Sequence, residues 1–382
     1  MPAAPSLIDL DHNATTRPTP EVIETVARSL REAWGNPGSR HAAGRAARRI
    51  LEDARETLAR ILHALPEEVV FTSGGTEATN LALLGAAAGA PGVIVLPPGE
   101  HPATEQTVRA LEFRGWRRHT FPIDDEGRLL PDHGRTVPWG DVRLATALLA
   151  HNETGVLQDL GPLAAECRAR NIPLHVDAVQ AVGKVDVDFH ALGATTLALG
   201  AHKFHGPRGI GALLVRSTCR LAPAAYGGHQ EAGRRPGTEC VALAAGMAVA
   251  LHRWHEDRQQ RTAFLLELRQ RLETGLTARC PPVIVNGSPA HRLPNTLHVT
   301  FPGVDGEALL VALDLAGLCV SLGTTCASGS TEPAPILLAM GRSQEDVRAS
   351  IRLSVGIDNT AEEMDAAVDR ISAIIRQLRG ER

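Results

Sequence analysis

From about residue 68 onward, short apolar runs rich in β-branched residues alternate with amphipathic stretches. The runs at 69–72, 93–96, 144–150, 174–176, 195–199 and 211–215 read as strands, and the segments 76–88, 103–114 and 160–169 between them carry helical spacing. Buried strands joined through helices predict a parallel sheet covered on both faces, so the chain is read as α/β and doubly wound. After Gly237 the pattern turns helical, with breaks, to about Ala278, where Cys280-Pro281-Pro282 ends it, and a domain boundary is expected within that stretch. The remainder mixes strands at 283–285, 297–301, 318–322 and 351–355 with helices at 306–316 and 360–378. In the last helix Met364, Val368, Ile371, Ile375 and Leu378 recur at three- or four-residue steps, which places one face on a core.

Composition narrows the class. A chain of 382 residues, 43% of them hydrophobic, can bury a sizeable core and fits two domains better than a disordered tail. Its longest apolar stretches, at 144–150 and 309–313, fall far short of the roughly 20 residues that span a bilayer, and no charged region precedes an apolar one near the N-terminus. A soluble, cytoplasmic protein is expected. With 39 basic against 43 acidic residues the net charge is −4, which speaks against strong direct nucleic-acid binding. Six scattered cysteines without a Cys-x-x-Cys pair suit reduced thiols. Only two of the 39 basic residues are lysines, Lys184 and Lys203. Base composition of the genome accounts for the bias itself, but a surviving lysine can mark a task that arginine cannot perform.

Lys203 lies in Ala201-His202-Lys203-Phe204-His205-Gly206-Pro207, directly after the run at 195–199, and α/β sheets bind ligands at the carboxyl ends of their strands. A lysine desolvated there becomes a nucleophilic amine fit for Schiff-base chemistry. Asp177 ends a second strand, with Gln180 three residues on. A carboxylate beside the lysine-bearing strand suits the protonated nitrogen of a pyridine ring, and equally suits a turn or cap. Thr72-Ser73-Gly74-Gly75-Thr76-Glu77 joins a strand to a helix whose first N–H groups form an anion site, unless Ser73 or Thr76 caps them. No Gly-Lys-Ser/Thr follows, so this is not a Walker A loop. Amine, acid and anion cradle together suggest pyridoxal phosphate. Cys326 is flanked by Gly323, Thr324, Thr325, Ala327, Ser328 and Gly329, the composition of an exposed loop. A free thiol is only a few per cent thiolate at neutral pH, so a neighbouring base or cation must activate it.

At this point the chain resembles the fold-type-I pyridoxal-phosphate enzymes and, within them, the cysteine desulfurases of the iron–sulfur assembly type. The resemblance rests on the order and spacing of Asp11-His12-Asn13-Ala14-Thr15-Thr16, Gly35-Asn36-Pro37, the 72–77 turn, Glu100-His101-Pro102, Asn152-Glu153-Thr154-Gly155, His175-Val176-Asp177-Ala178-Val179-Gln180, the 201–207 segment, Arg235-Pro236-Gly237-Thr238-Glu239, Pro294-Asn295-Thr296 and Cys326-Ala327-Ser328-Gly329-Ser330. It implies an aspartate aminotransferase-like fold, with a large, mostly parallel seven-stranded domain over 14–255. A smaller α+β domain of 1–13 and 256–382 would carry the cysteine loop.

The implied activity converts L-cysteine to L-alanine and leaves a persulfide on Cys326 for a sulfur-acceptor protein, an iron–sulfur scaffold or a thiolation relay. By the same resemblance Lys203 forms the Schiff base, His101 stacks on the ring, Asp177 holds the pyridine nitrogen and Gln180 the phenolic oxygen. Gly75, Thr76 and His202 hold the phosphate. Thr238 reaches the phosphate of the neighbouring subunit's cofactor, which implies a homodimer. Asn152, beside the cofactor, and Arg352 take the substrate carboxylate, and His101 is the candidate base for Cys326. The full-length segment from Cys326 to about Ile336 is similar to the long-loop branch, whose cysteine hands sulfur directly to a partner.

Two positions depart from the family. Gly200 stands where a serine usually donates to the phosphate, which predicts weaker cofactor binding unless a backbone N–H or water substitutes. His229 stands where glycine is usual. Rival readings on the same fold are a selenocysteine lyase and a small-amino-acid aminotransferase, the latter disfavoured by Cys326. A metal site from His202, His205, His175 and Asp177 has loose spacing and lacks the glutamate of a zincin, so no metal is expected. A cofactor-binding protein without turnover is the remaining alternative.

Overall fold

The computed structural model describes residues 6–130, 137–322 and 334–381. A short strand, β1 (Ile8–Asp9), is followed by helices α1 (Pro20–Glu32) and α2 (Ala42–Ile61). Neither helix stood out in the apolar pattern, for a physical reason: α1 buries Val22 beside Thr25 and Ser29, and the inner face of α2 is largely alanine with Arg55 among the leucines. Thr19 caps α1 by accepting the Val22 N–H.

The chain then alternates through β2 (Val69–Thr72), α3 (Gly75–Ala86), β3 (Val93–Leu96), α4 (Pro102–Glu112), β4 (Arg117–Thr120), β5 (Val142–Leu148), α5 (Gly161–Ala169), β6 (Leu174–Asp177), β7 (Thr196–Gly200) and β8 (Gly211–Val215). These strands form one seven-stranded sheet in the order β2-β8-β7-β6-β5-β3-β4, in which only β8 runs against the others. Six of the seven follow the predicted runs to within two residues. The seventh, β4, has the sequence Arg117-Arg118-His119-Thr120 and is mostly exposed at the sheet edge, so it carries no apolar signal and its charges blunt the edge.

The breaks read after Gly237 are absent, because α6 (Val241–Arg279) is one continuous helix of 39 residues. It buries Met247, Leu251 and Trp254 at one end and Leu265, Leu268, Leu272 and Leu276 at the other, with no buried side chain over 255–264. The helix therefore passes between two cores, and the lapse in periodicity records solvent exposure rather than a loss of helix.

Beyond it come β9 (Ile284–Asn286), β10 (Thr296–Thr300), α7 (Gly306–Leu315), β11 (Leu318–Cys319), β12 (Ser321–Leu322), α8 (Pro335–Ala339), α9 (Gln344–Arg348), β13 (Ser350–Ser354) and α10 (Ala361–Leu378). An antiparallel sheet has the order β12-β13-β10-β9, whereas β11 pairs in parallel with β1. The single strand read at 318–322 is thus two, divided where the chain changes sheet. Thr360 and Glu363 form a capping box at the start of α10, which buries Met364, Val368, Ile371 and Ile375. One hydrophobic core gathers residues between Val22 and Trp254 with Leu293; another joins Ile8 and Leu10 to residues between Leu265 and Ile375.

Candidate active site

The carboxyl ends of β6 and β7 and the amino end of α3 open onto one cavity of about 900 Å³. Every residue that the sequence assigns to the site lines it, apart from two. Thr238 is exposed and outside the cavity, and Cys326 lies outside the described residues, as does most of the segment read as a long loop.

At one end of the cavity α3 begins without a side-chain cap: its N-cap is Gly74, and the amides of Gly75 and Thr76 have no hydrogen-bond partner among the described residues. The caps considered at Ser73 and Thr76 are therefore not formed, and the donors face a ligand site as an anion cradle requires. Gly75 permits the close packing of this helix start on Val179, whose side chain a Cβ would meet at 2.4 Å. His202 adds a ring on the same side; its Nδ1 lies 3.2 Å from the Thr15 hydroxyl, and burial, followed by the nearby Lys203, lowers its pKa to about 4. At Gly200 a Cβ would meet only ordinary contacts, the nearest being the Gly75 amide nitrogen at 3.5 Å.

Asp177 closes β6 beside β7 and is 3% exposed. One carboxylate oxygen accepts the Val179 N–H at 2.9 Å. Burial pushes its pKa up, while His101, the Val179 N–H and Lys203 draw it down, so the site holds a buried acid placed to pair with a cation. His101 is the N-cap of α4, with Nδ1 accepting from the Ala103 N–H at 3.1 Å. That bond leaves the ring proton on Nε2, and burial lowers the pKa, so the ring is a neutral donor. In this tautomer His101 offers the cavity an N–H rather than a basic lone pair.

Lys203 sits in a short 3-10 turn after β7 and donates from Nζ to the carbonyls of Asn13 (2.6 Å) and Ala14 (2.9 Å). Burial above all, and then Arg352, lowers its pKa to about 8. At the far side Arg352, on β13, donates to Asp11 Oδ1 (2.9 Å), the Ser321 hydroxyl (3.0 Å), Glu153 Oε1 (3.2 Å) and the Asn152 carbonyl (3.1 Å). Asn152 gives its amide N–H to Glu153 Oε1, and its own side-chain oxygen is buried without a partner among the described residues. An uncapped helix, a buried acid, an amine of lowered basicity and a held guanidinium match a phosphorylated pyridine aldehyde carrying an amino acid.

Several supporting residues lie within the sequence motifs above without a residue type that marks their role. Asn13 joins the most groups: its carbonyl accepts from Gln180 Nε2 and Lys203 Nζ, its side-chain oxygen from Lys184 and Asn295, and its amide nitrogen donates to Thr296. Asp11 and Glu153 flank Arg352. Their signal was position beside an assigned residue, not residue type. The rival metal cluster does not assemble: His175 lies between the Thr196 and Thr79 hydroxyls, and His205 Nδ1 contacts the Arg17 carbonyl. His229 has φ −87°, which any residue adopts, so glycine is not required there. The 3-10 turn after it is held by Glu231, whose buried carboxylate takes both terminal nitrogens of Arg55 at 2.8 and 2.9 Å. Of the described thiols, Cys167, Cys219, Cys280 and Cys319 have pKa values raised by burial, Cys167 to about 12.

Comparison with known proteins agrees with this geometry. The aminotransferase class-V family matches residues 8–367. A cysteine desulfurase of Enterobacter agglomerans is 39% identical over 373 residues, spanning 97% of this chain and 93% of that protein. The cysteine desulfurase NifS of Azotobacter vinelandii is 36% identical, spanning 97% and 93%. Among solved structures, a NifS-like protein superposes with a TM-score of 0.91 at 32% identity, covering 97% of this chain and all of the other. The chain belongs to the class-V aminotransferases, in their cysteine desulfurase family.

Proposed function

We propose that the chain is a pyridoxal-phosphate-dependent cysteine desulfurase, taking L-cysteine to L-alanine and loading the released sulfur onto Cys326. The observation that carries the reading is the meeting of Lys203, Asp177 and the uncapped start of α3 in one cavity, with Arg352 opposite. Pyridoxal phosphate, when bound, supplies an aldehyde that condenses with amines and a ring that takes up carbanion charge.

The protein's own residues do the rest. The amides of Gly75 and Thr76, the Thr76 hydroxyl and His202 hold the phosphate, and Asp177 keeps the pyridine nitrogen protonated. His101 covers the ring. Arg352 and Asn152 take the substrate carboxylate and so orient the bonds at Cα. With a pKa of about 8, Lys203 is unprotonated in roughly one molecule in ten at pH 7. Its Nζ can therefore take the Cα proton and return it. Cys326 takes the substrate sulfur: the substrate C–S bond breaks as an S–S bond forms, so that cysteine and a thiol become alanine and a persulfide. The His101 N–H favours the thiolate by donation rather than by removing its proton.

The reading extends to a cytoplasmic homodimer in which Thr238 reaches the neighbouring cofactor, to a large domain of 14–255 with a smaller one of 1–13 and 256–382, and to an acceptor protein for the sulfur. Exposure of Thr238 away from its own cavity supports the dimer, and the two separate cores support the division. Among the described residues no helix is long and apolar enough to cross a membrane.

The experiment measures alanine and persulfide in single turnovers. Lys203→Arg is expected to release no alanine, because a guanidinium does not condense with the aldehyde at neutral pH. Cys326→Ser is expected to keep the cofactor colour and form no persulfide. Alanine from the first variant, or protein-bound persulfide in the second, overturns the assignment.

A further inference from the structure

Lys184, the other lysine, is buried at 4% exposure directly behind the site, four residues after Gln180. Its Nζ donates to Gln180 Oε1 at 2.6 Å and Asn13 Oδ1 at 2.8 Å, and neither partner is a carboxylate. An amine in either protonation state gives protons to both oxygens. Gln180 is thereby fixed with its oxygen on Lys184 and one N–H on the Asn13 carbonyl at 2.9 Å; the other N–H has no partner among the described residues, in a side chain that lines the cavity. Asn13 is fixed in the same way, and its carbonyl is the one that also holds Lys203. An amide that loses its fixed donor can turn over and present an oxygen, which repels an anionic ligand atom.

We infer that Lys184 is a positioning residue, which acts through Gln180 and Asn13 to keep an amide N–H aimed at the phenolic oxygen of the cofactor and the Lys203 amine at its station. The inference rests on the reading that pyridoxal phosphate binds at Lys203. It gives a reason for lysine here in an arginine-rich chain: the site is fully enclosed, and its two acceptors converge on a single donor atom, which an ammonium or amine matches and a planar fork does not.

The test follows the visible absorption of the bound cofactor against pH in the full chain. The titratable and charged groups around Lys203 are Arg352, Asp177, Asp11, Glu153, His101, His202 and Lys184, and those near Lys184 are Lys203, Arg352, His12 and His202. Lys184→Met leaves all the others in place and removes the donor together with the charge of Lys184, and the Gln180→Ala background below separates the two. An N–H on the phenolic oxygen opposes protonation of the bound cofactor, so its loss moves the spectral titration to higher pH. The expected shift is half a unit or more, with cofactor affinity reduced about fivefold.

In a Gln180→Ala background the same substitution is expected to produce less than half that shift, because the amide through which it acts is gone. Lys184→Gln, which restores an N–H donor, is expected to recover part of the shift and serves as the second variant should the methionine fail to fold. A titration unmoved in the folded single variant, or a shift just as large in the Gln180→Ala background, overturns the inference and leaves Lys184 a packing residue. Borohydride reduction followed by peptide mapping separates this from failure of the underlying reading. If the wild-type chain carries no reduced cofactor on Lys203, that reading fails whatever Lys184 does.

Discussion

Gly200→Ser is expected to tighten cofactor binding. Gly200 ends β7 with φ −135° and ψ 125°, an extended conformation open to any residue, and it faces the uncapped start of α3. A Cβ there meets the Gly75 nitrogen at 3.5 Å, a His202 ring carbon at 3.6 Å and Val179 at 3.7 Å, all ordinary contacts, so the backbone accepts a Cβ without displacing its neighbours. Its hydroxyl would add one donor to the cradle of the Gly75 and Thr76 amides. A hydrogen bond to a charged group contributes roughly 1.5–3 kcal/mol, or about 10- to 150-fold in Kd. Replacing a strand glycine by a residue with a Cβ also removes roughly 0.5–1 kcal/mol of unfolded-state entropy, which raises the melting temperature of the apo chain slightly. The assay is equilibrium titration of the apo chain with pyridoxal phosphate, and in parallel with pyridoxal. The gain belongs to the phosphate ester alone. An unchanged Kd for both, or equal gains for both, refutes the placement of the phosphate between Gly200 and α3.

Other expectations follow from the same geometry. With Lys203 lowered to about 8 chiefly by burial, its free amine rises as pH passes 8 and saturates about one unit above. The stopped-flow rate of cofactor attachment to the apo chain should therefore level off near pH 9, and a rate still climbing steeply at pH 10 would return the lysine to its ordinary basicity. Asp177→Asn keeps the shape and removes the charge. It is expected to reduce alanine formation about 10- to 1,000-fold, with apo thermal stability unchanged or higher because the buried carboxylate is relieved. Arg352→Lys loses a two-nitrogen grip on a carboxylate and should lower kcat/KM for cysteine by roughly 10- to 150-fold, mostly through KM. Arg55→Met strands the Glu231 carboxylate inside the protein and should destabilise the fold by about 3–5 kcal/mol in urea titrations.

The fold was legible where burial writes a pattern. Strands covered on both faces, such as 93–96 and 211–215, are continuous apolar runs with no other explanation. The elements without a signal in the sequence lie where burial and structure part company: β4 is a strand without a buried face and α1 and α2 bury small and polar residues, whereas the breaks expected in α6 are absent because it stays helical across a solvent gap. At the site, residues at strand ends and in a glycine turn were visible because chemistry restricts the residue type. Asp11, Asn13 and Glu153 were not assigned because any polar side chain reads alike until its neighbours are known. The direction of the His101 proton was likewise beyond sequence, since it depends on one backbone N–H from Ala103.

The two lysines show where that limit falls. Both are amines of lowered basicity behind the same asparagine, and burial is the leading cause in each. They differ in what lies in front of Nζ. Lys203 lines the cavity and donates to two backbone carbonyls, bonds that the proposed condensation with an aldehyde would release. Lys184 faces two side-chain amides whose orientation it determines, and it does not line the large cavity. Scarcity in an arginine-rich chain therefore marked two places where a guanidinium fails for different reasons. At Lys203 it cannot form the bond; at Lys184 it is too large and too planar for two acceptors that converge on one atom. Lys184→Arg is accordingly expected to perturb the folded chain more than Lys184→Met, although it conserves charge. A methionine that destabilised more than arginine would show that donation and charge, not shape, retain lysine there.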